Sequence, residues 1–369
     1  MSDSLTPDLA ACGARVAELC YREYGLLVGN GTTALALACR MTPPGRKKAI
    51  VPAIACANVL FAIYYAECTP VFVDICPESG LLNPESVRVA LERDPSIGAV
   101  VVVHTYGHVA DLRRIAIHAR AVGALVIEDA AQAQGGVYAD GSPLGALGDL
   151  SLVSFGHTKI LDVGGGGVLM TDSRDMYDTC LKLTAELALP PSDLEVRFAQ
   201  YRSRYYSEWN VRASDPSALI RVGLLHRRFR EAFLYRADDT TARRIISELP
   251  MLSSLAVARV ELAAEYSMLL AGLDAIRLCI VAPGSIPWRF IFRAPAHQRD
   301  SLVERLRHFG VDASCWYPSL AHFCAVEQGS AALPNAEAFE QEVVNLWVTP
   351  GYDWQQSHVA CMLIRDYFD

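Results

Sequence analysis

The chain has 369 residues, of which 52% are hydrophobic and 20% charged, a balance that excludes disorder and leaves enough apolar surface for a sizeable core. Its formal net charge of -8, with lysines and arginines not gathered into one stripe, excludes nucleic acid as an expected partner. At this length one large domain plus a smaller one is expected.

The N-terminal "MSDSLTPDLAACGARVAELC" lacks a basic start followed by an apolar block, so it does not read as a secretory signal. The eleven cysteines are scattered, odd in number and without a C-x-x-C pair. That pattern predicts reduced thiols packed as small hydrophobes in a cytoplasmic protein, and no metal site. The longest uncharged run, "IVPAIACANVLFAIYYA" at 50–66, contains Pro52 and Asn58 and falls short of the roughly 20 residues that span a bilayer. It reads as a buried strand feeding a buried helix, with no membrane contact.

From 27 to 172 short β-rich runs alternate with helical segments. "KKAIVPAI", "PVFVDI", "AVVVVHTY", "ALVIEDAA", "LSLVSF" and "GVLMTD" read as strands, several apolar without alternation, as strands covered on both faces should be. Helices are expected at 83–93, where Asn83 can cap and Pro84 takes the first position, and at 110–122, with Leu112, Ile115, Ala116 and Ala119 on one face. Such alternation implies a mostly parallel sheet covered by helices. Asp140-Gly141, a favoured hairpin dipeptide, predicts a β excursion at 138–148. From 173 to about 275 the pattern is mainly helical, and the basic stretch 221–236 reads as the solvated face of a helix, with contact to an anionic substrate as the alternative. A strand "WRFIFRA", a helix at 297–309 and a last helix near 355–367 then form a second α+β unit.

Three stretches carry candidate chemistry. In "VGNGTTALALA", 28–38, a strand ends in Gly29-Asn30-Gly31 and a helix is expected to start at Thr32. Free N–H groups and the helix dipole make such a junction an anion site, although many strand-turn-helix junctions with glycine bind nothing. In "VIEDAAQAQG", 126–135, an apolar strand delivers Glu128 and Asp129 at its carboxyl end, where open α/β sheets place ligands and where a carboxylate can also simply cap the next segment. In "SFGHTKILDVGGGG", 154–167, Ser154 ends a strand and Lys159 precedes four glycines, the reverse of a nucleotide P-loop, whose lysine follows its glycines. Most lysines are merely solvated, but one held against a sheet end can be partly desolvated and become an amine nucleophile. Jointly, a phosphate site at a helix N-terminus, an aspartate for a ring nitrogen and a lysine for an imine are the groups that pyridoxal 5′-phosphate requires.

Across nearly its whole length the chain resembles the DegT/DnrJ/EryC1/StrS aminotransferases, the sugar aminotransferases among the fold-type I pyridoxal-phosphate enzymes. "GNGTTALALA", "VPAIACANVLFAIYYAECTPVFVDI", "HTYGHVADLRRIAIHARAVGALVIEDAAQAQG" and "SFGHTKILDVGGGGVLMTD" carry the resemblance, with weaker similarity in "WYPSLAH" and "LPNAEAFEQEVVNLWVTPG". It implies an α/β, aspartate aminotransferase-like fold: a three-layer large domain over 1–250 with its core at 27–172, and a smaller C-terminal α+β domain over 251–369. By resemblance Lys159 would hold the Schiff base and then shuttle the proton, and Asp129 would pair with the ring nitrogen. Gln132 would lie near the ring hydroxyl, and Gly31, Thr32 and Ser154 would take the phosphate. The reaction implied moves an amino group from a small-molecule donor, glutamate, onto a keto sugar or related cyclic ketone. A homodimer is implied as well, because the family builds its sites at a dimer interface.

The sequence also departs from the family. Cys56 stands where an aromatic usually stacks on the cofactor, which predicts a looser or differently oriented cofactor. Leu234 replaces the asparagine of an "NYR" segment that reaches the neighbouring subunit's phosphate. Gln134 replaces a frequent histidine, and Gly156-His157 precede the lysine in place of bulkier pairs. His157, His104, His108 and Tyr317 are candidate substrate contacts, each with a structural role as the alternative. The departures keep two other readings open: elimination or carbon-carbon chemistry on the same cofactor, and a non-catalytic regulatory or scaffold member.

Overall fold

Capping starts the first helix, α1 (Pro7–Leu19): Thr6 accepts the Leu9 N–H and proline fills the first turn, where its missing donor is not needed. The computed structural model describes residues 5–324, 332–349, 351, 352 and 354–369. Met1–Ser4 of the N-terminal reading and Pro350 of the block of weaker similarity lie outside the described residues.

The alternation continues as β1 (Tyr24–Val28), α2 (Gly31–Arg40), β2 (Lys48–Pro52), α3 (Ala57–Tyr65), β3 (Thr69–Val73) and α4 (Pro84–Arg93). It ends with β4 (Ile97–Val103), α5 (Leu112–Ala121), β5 (Leu125–Asp129), β6 (Leu150–Ser154) and β7 (Gly167–Thr171). The strands make one seven-stranded sheet in the order β1-β7-β6-β5-β4-β2-β3, mostly parallel, with β7 antiparallel to β1 and β6. Because successive side chains point to opposite faces, each strand feeds two cores. Val101, Val103 and Ile127 pack under α2 and α3, while Val100, Val102 and Val126 pack with α1, α4 and α5. The result is the three-layer arrangement expected.

Two local expectations change. The helix after β1 starts at Gly31, one residue before Thr32, because the Asn30 side chain accepts the Thr33 N–H at 2.8 Å and so fixes the cap. The excursion at 138–148 is shorter than two strands: one antiparallel bridge, Val137 to Pro143, flanked by Tyr138 N–H to Ser142 O at 2.8 Å and Leu144 N–H to Gly136 O at 2.9 Å. Asp140-Gly141 does turn the chain, with Gly141 at φ +83°. The N–H groups beyond it, from Gly145, Leu147 and Gly148, donate to the buried Glu128 carboxylate and are lost to any ladder.

Helices then follow as expected: α6 (Arg174–Ala185), α7 (Leu194–Val211), α8 (Ser217–Arg228), the short α9 (Arg230–Phe233), α10 (Asp239–Glu248) and α11 (Leu252–Leu270). Tyr201, Tyr205 and Trp209 of α7, with Leu219 and Val222 of α8, join the core under α2 and α3. In the basic stretch Arg227 and Arg228 are exposed, and Arg221 pairs with Glu208 and Asp215.

The C-terminal part contains β8 (Arg277–Leu278), β9 (Arg289–Arg293), α12 (Ala296–His308), α13 (Pro334–Glu342), β10 (Val343–Trp347) and α14 (Trp354–Phe368). Its three strands form an antiparallel sheet, β10-β9-β8, and Phe290, Phe292 and Val344 pack with the later half of α11, with α12 and with α14 in a separate core. All eleven cysteines are free thiols. Among the described residues no helix is long and apolar enough to cross a membrane, and no cluster of metal-ligating side chains is present.

Candidate active site

The carboxyl ends of β4, β5 and β6 and the N-terminus of α2 open onto one cavity of about 230 Å³. Gly31, Thr32, Cys56, Asp129, Gln132, Ser154 and Lys159 all line it. The structure thus gathers residues spread over some 130 positions, because parallel strands connected by helices all end on the same edge.

Lys159 lies in the loop after β6. Its N–H donates to Gly156 O at 3.2 Å, and the preceding Thr158 takes φ +66° with its N–H on Asp162 and its carbonyl accepting the Trp288 indole N–H. Burial pushes the Lys159 amine below its ordinary value, while Cys56 and Asp129 pull it back up and Arg289 pushes it down. A partly desolvated amine gives up its proton more readily, which a nucleophile or a proton shuttle needs.

Asp129 ends β5 and is 5% exposed. Its Oδ1 accepts the Ala131 N–H at 2.9 Å, and among the described residues nothing donates to Oδ2. Burial raises the Asp129 carboxyl above its ordinary value, against the Ala131 hydrogen bond and the charge of Lys159. A buried carboxyl with one free oxygen fits a protonated ring nitrogen, which would complete its pairing.

The third corner is the start of α2. Asn30 Oδ1 occupies the Thr33 N–H, and the helix's positive end faces the cavity beside the buried Thr32 and Ser154 hydroxyls. The glycines after Lys159 let the backbone close under this corner. Gly166 has φ +92° and its N–H donates to Gly29 O, and a Cβ on Gly167 would lie 2.5 Å from the Asn30 carbonyl carbon. A helix N-terminus flanked by two hydroxyls suits a phosphate.

Gln132 is locked from two sides: its Oε1 accepts the Tyr106 N–H at 2.8 Å and its Nε2 donates to Tyr317 Oη at 2.9 Å. Tyr317 is therefore behind the wall, stacked on Trp288 and Tyr106, and does not line the cavity. His104 is also absent from the lining. Fully buried, it lies 3.3 Å from Glu128 through Nε2 and accepts the Ala110 N–H at Nδ1, so both nitrogens are in use. His108 is buried elsewhere, and burial depresses it to about 4. Of the histidines singled out, His157 alone lines the cavity, with its ring largely exposed and 3.9 Å from Asp162.

Other lining residues went unnoticed in the sequence: Phe198, Tyr201 and Arg202 from α7, and Phe233 and Tyr235 on either side of Leu234. The 233–235 segment clamps the α2 junction, with Thr33 Oγ1 donating to Phe233 O and Gly29 N–H to Tyr235 O. Leu234 itself is packed into the core. The alternation of Phe233 and Tyr235 was the signal available for these two. For α7 the signal was weaker, since its apolar positions read equally well as core.

A lysine, a half-satisfied aspartate and a helix N-terminus converging on the carboxyl edge of a mostly parallel sheet define a fold-type I pyridoxal-phosphate enzyme. The chain belongs to the DegT/DnrJ/EryC1/StrS aminotransferase family, whose profile matches residues 6–363. It is 28% identical over 369 residues to a dTDP-3-amino-3,4,6-trideoxy-alpha-D-glucose transaminase of Streptomyces venezuelae, covering 98% of this chain and 88% of that one. It is 27% identical over 367 residues to a pleiotropic regulatory protein of Geobacillus stearothermophilus, covering 96% and 88%. Among solved structures, S. venezuelae DesV in complex with a ketimine intermediate matches with a TM-score of 0.78 at 28% identity, over 99% of this chain and 90% of that one.

Proposed function

We propose that the chain transfers an amino group from glutamate to a keto sugar or a related cyclic ketone in a biosynthetic pathway, using pyridoxal 5′-phosphate. One observation carries the reading: Lys159, Asp129, Thr32 and Ser154 line a single cavity, with an amine, a buried carboxyl and two hydroxyls at a helix N-terminus brought together. The dTDP-sugar transaminase among the relatives supports a nucleotide-linked keto sugar as acceptor. We further propose a homodimer in the cytoplasm, supported by the family resemblance and by the eleven free thiols.

When bound, pyridoxal phosphate supplies the electron sink that carbon-hydrogen cleavage beside nitrogen requires. Asp129 Oδ2 would hold the ring nitrogen as a charged donor, and the α2 N-terminus with Thr32 and Ser154 would hold the phosphate. Lys159, anchored by Gly156 and by the turn at Thr158, would form the covalent link and then carry the proton between substrate and cofactor carbons, a role its lowered basicity suits. Gln132, fixed by Tyr106 and Tyr317, would present its amide edge without rotating.

The test is spectroscopic. Protein loaded with pyridoxal phosphate should lose its visible absorbance on addition of glutamate and regain it when a nucleotide-linked keto sugar is added, with an amino sugar detected by mass spectrometry. A loaded protein whose spectrum responds to no amino donor would sink the transaminase reading.

A further inference from the structure

We propose that Tyr201, on α7, is the aromatic wall of the cofactor cavity and stands in for the ring that residue 56 lacks. The inference rests on the pyridoxal-phosphate reading above. Cys56 immediately precedes α3 and lines the cavity, yet a thiol offers an aromatic cofactor little contact. Tyr201 lines the same cavity from a helix far along the chain.

The ring of Tyr201 is held in place from several directions. Phe233 meets it edge-on at 4.8 Å and 84°, Phe229 at 5.7 Å and Phe61 at 6.2 Å. Phe61 belongs to α3, the helix that Cys56 begins, so the small residue and the ring are tied to one element. Phe198, one turn earlier on α7, also lines the cavity and packs on Phe233 at 5.2 Å, so α7 faces the site with more than one ring. Burial pushes the Tyr201 hydroxyl well above its ordinary value, so the side chain stays neutral and offers a face rather than a charge. A fixed aromatic ring beside a planar heteroaromatic cofactor adds stacking attraction beyond buried area.

Tyr201→Leu, Tyr201→Phe, Cys56→Phe, the double variant Tyr201→Leu/Cys56→Phe and the packing control Phe229→Leu decide the matter. The readouts are the visible circular dichroism of bound pyridoxal phosphate, its release rate on dilution, and the thermal midpoint. Tyr201→Phe, which keeps the ring, should lie much nearer the parent than Tyr201→Leu in both dichroism and release rate. Tyr201→Leu should weaken the dichroism and release cofactor about 3- to 10-fold faster, and the double variant should recover both. Phe229→Leu should lower the midpoint alone. Unchanged dichroism and release in Tyr201→Leu, or equal losses in Phe229→Leu, would overturn the proposal. Should Tyr201→Leu not fold, Cys56→Phe alone decides: if Tyr201 already walls the cavity, a second ring should crowd the cofactor and lower its uptake, and normal uptake overturns the proposal. A parent protein that takes up no cofactor at all would instead overturn the reading on which the proposal rests.

Discussion

Ser154 presses so closely on Gly31 that a Cβ added to residue 31 would lie 2.8 Å from Ser154 Cβ and 3.0 Å from its Oγ. The glycine is required there by a neighbour, since its helical backbone would accept alanine. Gly31→Ala should force Ser154 away at a cost of about 1–3 kcal/mol and weaken pyridoxal-phosphate binding by ~10-fold or more. Ser154→Ala keeps the colliding Cβ and should not rescue it. Ser154→Gly removes that Cβ and should restore part of the affinity, read by spectrophotometric titration.

The charges around Lys159 predict shifts of opposite sign. Asp129 raises the amine's basicity and Arg289 lowers it. In cofactor-free protein, the pH at which Lys159 becomes reactive to an amine-selective label should fall in Asp129→Asn and rise in Arg289→Met. Peptide mapping of the labelled lysine across a pH series measures both. Movement in the same direction would refute this account of the site's electrostatics.

Glu128 gives a stability test next door to the site. Burial alone would raise its carboxyl, but His104, the Gly145 N–H and Tyr138 hold it down to about 2, against an ordinary 4.5. A folded value below the unfolded one contributes stability that is complete above about pH 4.5 and is lost as pH falls toward about 2. Glu128→Gln turns an amide N–H₂ toward several donors and should cost roughly 2–4 kcal/mol at neutral pH. The difference between parent and variant in denaturant midpoints should shrink on acidification.

The large-domain sheet was legible because its parallel strands are apolar on both faces, and Lys159, Asp129 and Ser154 were legible because each ends such a strand or follows it closely. The chain direction of a strand fixes which edge receives its last residue. Tyr201 and Phe198 could not be read this way, since their place depends on how α7 packs over α3, some 140 residues earlier. The early end of the hairpin at Pro143 has the same origin: Asp140-Gly141 predicts a turn locally, but Glu128, more than ten residues before it, decides where the following N–H groups go. His104 lies at a strand end, as a site residue would, and only its two internal hydrogen bonds remove it from the cavity.

His104 and His157 should therefore behave oppositely. His104 is fully buried with both nitrogens engaged, so His104→Ala leaves the Ala110 N–H without an acceptor and Glu128 without one of its donors. Each loss costs about 1–3 kcal/mol, so the melting temperature should drop by several degrees while the KM for the keto acceptor in the folded fraction stays unchanged. His157 has a 61% exposed side chain at the cavity wall, and its 3.9 Å approach to Asp162 is worth little in solvent. His157→Ala should leave the melting temperature within a degree or so and raise the acceptor KM by about 3- to 10-fold, the range expected for one lost polar contact. Melting curves and steady-state kinetics on the two variants separate these roles, and a His104→Ala protein of normal stability with an altered KM would move that histidine back into the site.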